Sequence, residues 1–294
     1  MRTHYTVTLF LMWFSVGIFA QPTSPTVSVS TTVQELSEDQ TNIEAFIRIR
    51  GNLNPMQSTI YRASGTITAY IPGEKAKPLF RFEMYSVSRY IKTDTSYIML
   101  SREVGLYTDI KTGEVMDVWY NPYTKDTNEV MHVFNDPVNQ NLVFQGVRKP
   151  HFNFEQTGNG RMTLNSDFFL LYPSPLPKSQ FPQHSRSEMY QTAELYSFFF
   201  EGKDIVNPEV SSIYSDVSWT RISDFLPWMN MGSKEGYLVY SCRGYKTETV
   251  DELPATVLSY VRRFNHVFLH PPDEFKTPNQ TTWSNYRKKI TTAQ

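Results

Sequence analysis

Between Ser58 and Tyr107 the chain alternates apolar and polar side chains with a period of two. Phe80, Phe82 and Met84 are set against Arg81 and Glu83, as in a half-buried strand, whose successive side chains point to opposite faces. The pattern predicts strands over Ser58–Ile71, Leu79–Ile91 and Tyr97–Tyr107, punctuated by turn residues such as Pro72-Gly73. A turn from Asp109 to Gly113 returns the chain into Val115–Tyr120. A second turn, Asn121-Pro122 through Asp126, leads to a strand over Asn128–Phe134. Further strands are expected over Met189–Phe200, Val217–Ile222 and Gly236–Gly244. The best helical spacing lies in Asp251–Phe264, where Leu253, Val257, Tyr260, Val261 and Phe264 fall near one face and Asp251 and Glu252 suit the N-terminus. The prolines of Tyr172–His184 make that stretch a surface loop or a seam.

Short connections make successive strands antiparallel neighbours, because parallel pairs need long crossovers. The expected fold is therefore mainly β: an antiparallel barrel or strongly curved sheet with one or two peripheral helices. A two-sheet sandwich is the alternative. Closure would remove exposed strand edges.

The first residues change the picture of where this sheet works. Arg2 precedes an apolar run from Val7 to Ala20, broken only by Thr8 and Ser15, and a polar, proline-containing segment follows. That order describes a secretory signal peptide over residues 1–20, and the run is shorter than the roughly 20 residues of a bilayer-spanning helix. A flexible lead-in over 21–42 and a single β domain over 43–290 are expected, in a secreted, extracellular protein with no membrane association after cleavage. With 28 basic and 29 acidic residues, the chain lacks the basic surface that nucleic acid rewards. Cys242 is the single cysteine, so no intramolecular disulfide can form and stability must come from the core. The 20 Phe, 18 Tyr and 5 Trp supply it. Asn279-Gln280-Thr281 is a sequon, making Asn279 a candidate glycosylation site.

Three titratable residues sit in apolar rows. Arg102 shares a strand face with Ile98, Leu100, Val104 and Leu106, and His132 shares one with Val130 and Phe134. Glu194 shares one with Tyr190, Tyr196, Phe198 and Phe200. A buried charge needs a partner. Three readings stay open: the groups line a pocket and act on a ligand; Arg102 and Glu194 form an internal ion pair while His132 makes a satisfied core hydrogen bond; or the faces are inverted and all three meet solvent. Trp119, Tyr190, Trp219 and Trp228 are the candidate ligand-gripping aromatics. The cluster from Trp219 to Gly232 is either an apolar wall or a core plug. His266 and His270 have helical metal-ligand spacing, but Pro271 ends any helix there, and no metal site is called. No cofactor motif, Gly-x-Ser-x-Gly elbow or His-Glu-x-x-His is present, and Gly158-Asn159-Gly160 reads as a turn.

Several segments together resemble the family known as domain of unknown function 1838. They are Ser101-Arg102-Glu103-Val104-Gly105, Thr112-Gly113-Glu114-Val115 with Trp119 and Asn121-Pro122, and Val130-Met131-His132-Val133. Asn135-Asp136-Pro137-Val138-Asn139, Tyr190-Gln191-Thr192-Ala193-Glu194-Leu195, the Trp219–Gly232 cluster and the tail around Trp283 continue the match. Through fungal relatives the resemblance implies chalcone-isomerase-like chemistry, of isomerase or lyase type. Such chemistry needs a shaped apolar pocket and a cation or donor near a carbonyl oxygen. Two functions follow as expectations: binding of a small, largely apolar or aromatic ligand with that chemistry, or a non-catalytic role among extracellular matrix or biomineral components.

Overall fold

The computed structural model describes residues 38–292; the expected signal peptide and most of the lead-in lie outside them. A helix, α1 (Asp39–Arg50), opens the described chain, beginning within the stretch expected to be a flexible lead-in. Three long strands follow: β1 (Thr59–Tyr70), β2 (Lys77–Lys92) and β3 (Ser96–Thr108). A short ribbon of β4 (Val118–Tyr120) and β5 (Thr127–Glu129) lies off the main sheet. The chain then returns to β3 through β6 (Val133–Asn135) and β7 (Gln140–Val143).

The second half adds β8 (Asn153–Gly158), β9 (Arg161–Pro173), β10 (Met189–Glu201), β11 (Asp216–Ser223) and β12 (Tyr237–Thr247). A one-turn helix, α2 (Gly202–Ile205), links β10 to β11. Helices α3 (Ala255–Phe264) and α4 (Thr282–Thr292) close the chain.

The strands form one ten-stranded antiparallel sheet in the order β6-β3-β2-β1-β12-β11-β10-β9-β8, with β7 also on β3. The two ends of this order do not pair with one another among the described residues, so the sheet is open rather than a closed barrel. Its faces are nonetheless far from flat. Glu103 on β3 and Glu194 on β10 stand five strands apart, about 24 Å in a flat sheet at ~4.8 Å per strand, yet both line one cavity.

The β1 and β12 backbones approach closely at the middle of the sheet. There small residues, Ala63 and Gly65 opposite Gly244 and Cys242, sit between the larger pairs Tyr61–Lys246 and Ile67–Tyr240 on the inward row. A Cβ on Gly65 would stand 2.0 Å from the Ser241 carbonyl oxygen, and one on Gly244 1.8 Å from that of Arg62. Glycines of this kind mark bends and close backbone approaches within strands.

At β1–β3 both faces of the sheet are buried, each by different means. The outer face of β1–β3 carries Ile60, Tyr85, Val87, Val104 and Leu106, covered by Leu253, Val257 and Val261 of α3 and its approach and by Phe268 and Leu269 of the following turn. The inner face is an aromatic core in which Phe80, Phe82, Tyr107, Trp219, Trp228 and Tyr240 touch at ring-centroid distances of 5.0–6.2 Å through neighbours including Trp119. Burying each such ring contributes about 1.5–3 kcal/mol, which is how a chain without disulfides holds this shape.

Candidate functional site

Inside the curl lies a cavity of about 530 Å³. Its walls come from alternate residues of successive strands: Phe82 and Met84 of β2, Glu103 and Tyr107 of β3, Phe168 and Leu170 of β9, Tyr190, Glu194 and Tyr196 of β10. Trp219 and Arg221 of β11 and Tyr240 of β12 complete them. The register fixes this lining, since Glu194 faces Arg221 and Phe168, Tyr196 faces Trp219, and Tyr240 faces Arg221 across neighbouring strands. The segment from Asn279 into α4 covers one side, where Trp283 packs edge-on against Tyr190 at 5.4 Å.

A polar cluster sits among these rings. Arg221 donates from Nη1 to Glu194 Oε1 and from Nη2 to the Tyr190 hydroxyl. The Tyr196 hydroxyl donates to Glu194 Oε2 at 2.8 Å. Burial works against the Arg221 charge, but Tyr190 and Glu194 outweigh it and hold the guanidinium protonated more firmly than usual. Glu103 lies across the cavity without a salt bridge among the described residues, accepting from Asn135 Nδ2 at 3.3 Å. Burial, then the Glu194 charge, raises the Glu103 carboxyl above its ordinary 4.5. The cavity thus sets the Arg221-paired Glu194 opposite Glu103, whose pKa burial raises.

The residues singled out from sequence fall into two groups. Glu194, Tyr190 and Trp219 line the cavity together. Arg102 does not: it points to the outer face with Val104 and Leu106. There Nε pairs with Asp136 Oδ2 at 2.8 Å and Nη1 donates to the carbonyls of Val267 and His270 at 3.1 and 2.8 Å. Its neighbour Glu103 takes the inward position. An Arg102–Glu194 ion pair is therefore absent, the two lying on opposite faces.

His132 sits between β5 and β6 rather than within one continuous strand, so the expected run Asn128–Phe134 is broken there. Its Nδ1 accepts from the Tyr107 backbone N–H at 3.1 Å, and its ring stacks near Tyr107 and meets Tyr260 edge-on at 5.2 Å. Burial lowers its pKa from 6.5 to about 4, leaving a neutral imidazole in a structural post. Trp119 and Trp228 belong to the core plug: their rings meet at 5.9 Å, and Asn121 and Asn128 anchor the ribbon to the Met229 carbonyl at 2.8 and 3.2 Å. Asn279 is exposed at the cavity rim, its amide exchanging hydrogen bonds of 2.8 Å with the main chain of Asn139. Among the described residues no group of three or more His, Cys, Asp or Glu could hold a metal ion.

Arg221 and Glu103 are the site residues that sequence reasoning passed over. Arg221 stands two residues after Trp219 and so shares its face, and the alternation carried that signal.

Fold and cavity define a mainly β protein whose curled antiparallel sheet encloses an aromatic chamber with an ionic cluster in its wall. The chain belongs to the family described as "Protein of unknown function (DUF1838)", whose model matches residues 56–290. No curated protein matches it. Among solved structures, one described as "Lipid-protein interactions in lipovitellin" is 9% identical with a TM-score of 0.27, covering 78% of this chain. The match spans 27% of that much longer chain, and a likeness so low bears on neither fold nor ligand.

Proposed function

We propose that this protein is secreted and binds a small, largely apolar, aromatic ligand within the chamber. The observation that carries this reading is the half-open cavity itself: aromatic walls from Phe82, Tyr107, Tyr196, Trp219 and Tyr240 surround a few convergent polar groups, the usual composition of a small-molecule site. In the finer reading, Arg221, Tyr190 and Glu103 orient an oxygen of the ligand and support charge developing there, as isomerase or lyase chemistry of the chalcone-isomerase type requires. Arg102 and His132 have no part in this version.

The matrix-component reading has one observation in its favour. Phe169 and Leu171 on the outward row of β9 are 75% and 65% exposed, an apolar strip suited to association.

A thermal-shift screen of the full chain against planar phenolics decides between them. Several degrees of stabilisation are expected, and Trp219→Leu should abolish it while Trp119→Leu leaves it in place. No stabilisation by any member of the panel would sink the ligand-binding reading.

A further inference from the structure

The cavity wall contains a cation that the Arg221–Glu194 cluster does not account for. Arg50, in the last turn of α1, lines the chamber. Its Nη2 donates to the Ser86 hydroxyl at 2.6 Å, and its guanidinium lies 4.7 Å over the Tyr61 ring. Both partners are neutral, and no salt bridge joins Arg50 to a carboxylate among the described residues. Its Nη1 is buried without a hydrogen-bond partner. So is the hydroxyl of Tyr90, which lines the same chamber.

Tyr90 is held beside Arg50 by local geometry. Its ring lies on Gly51, where a Cβ would stand 2.2 Å from Tyr90 Cε2. Two buried donors left open side by side, one of them charged, are costly in isolation and call for an acceptor.

No carboxylate in the rest of the wall forms a salt bridge with Arg50 among the described residues. Glu194 is already matched by Arg221. Burial first and the Glu194 charge next raise the Glu103 pKa, while the Arg221 and Arg50 charges act in the opposite sense. Of the two arginines in the wall, Arg221 has a carboxylate partner and Arg50 has no salt bridge among the described residues. Buried Lys246 lies behind the same helix end, its Nζ donating to the carbonyls of Arg48 and Gly51 at 2.7 and 3.0 Å. Burial pushes that ammonium down to about 7; Glu248 pulls it back up, and the Arg50 charge adds a smaller downward push.

We propose that the ligand of the chamber is an organic anion, a flat apolar body bearing one carboxylate, with the carboxylate received by Arg50 Nη1 and the Tyr90 hydroxyl and the body held between Phe82, Tyr196 and Trp219. This rests on the ligand-binding reading above and narrows it to a chemical class. A charge-assisted pair in such a water-poor wall is worth more than the same pair at a surface, so charge rather than shape sets the preference.

The test compares 2-naphthoate with 2-acetonaphthone, a neutral molecule of nearly the same outline, by titration calorimetry on the full chain at pH 7. Naphthoate is expected to bind at least tenfold tighter. Tyr90→Phe, which keeps the ring and the fold, should cut naphthoate affinity several-fold and leave acetonaphthone unchanged, and Arg50→Gln should remove the preference. Equal binding of the two molecules by the unaltered protein would overturn the anion assignment and leave the ligand-binding reading standing. Binding of neither would overturn both.

Discussion

Two arginines in apolar strand rows, Arg102 and Arg221, meet opposite fates on the two faces of one sheet. Arg102 lies under the turn after α3, where main-chain carbonyls and Asp136 absorb its charge within a packed layer. Arg221 lies in the chamber wall, where Glu194 and two tyrosines hold it beside open volume. The outer arginine fastens one element to another. The inner one pairs with a carboxylate in the wall of the cavity. An ionic group among apolar neighbours thus reveals a function only once the face it occupies is known.

The comparison can be broken by experiment. The largest effect is expected from Arg221→Met, which strands the Glu194 charge in the wall. Loss of one partner of such a pair costs about 3–5 kcal/mol, and ligand-induced stabilisation should vanish with it. Urea unfolding of Arg221→Met and of the double variant with Glu194→Leu separates the causes, since the double variant should recover most of the loss.

His132 gives the next effect, through pH. Its folded-state pKa is lowered from 6.5 to about 4 by burial, so the unfolded chain takes up a proton first on acidification. Stability is fully present above pH 6.5 and is lost as pH falls toward 4, by about 3.5 kcal/mol at ~1.4 kcal/mol per unit. His132→Asn should flatten that part of the pH–stability curve, and an unchanged slope would show that other groups produce it. The smallest effect belongs to Arg102→Met, about 1.5–3 kcal/mol from lost charge-assisted hydrogen bonds, with ligand stabilisation untouched. A loss of ligand response in that variant would erase the distinction between the faces.

The long strands were legible because their alternation is regular: β1, β2, β3, β10 and β11 lie within two residues of where the pattern puts them. Parity on β3 was not legible, and the reason is physical. Its outward row of Leu100, Val104 and Leu106 is as apolar as its inward row of Met99 and Tyr107, because helices cover one face and the aromatic core the other. Glu194 stands in a row that is aromatic apart from Thr192, and that row does face the cavity. The β8–β9 hairpin was missed for a different reason. Asn165-Ser166-Asp167 followed by Phe168-Phe169-Leu170-Leu171 shows no period of two, and both sides of β9 remain partly open. Helix α1 was obscured by the Ser- and Thr-rich stretch before it, although its buried Ile43, Phe46, Ile47 and Ile49 are helically spaced.

Gly65 and Gly244 touch nothing that a guest molecule would meet, yet they decide how much room it has. Their missing methyl groups would collide with the opposite main chain, so a side chain at either position would push two central strands apart and move the walls on both sides of the cavity. Widening or narrowing the vessel would be achieved more readily by altering residues along these two strands than by trimming the rings that face its contents.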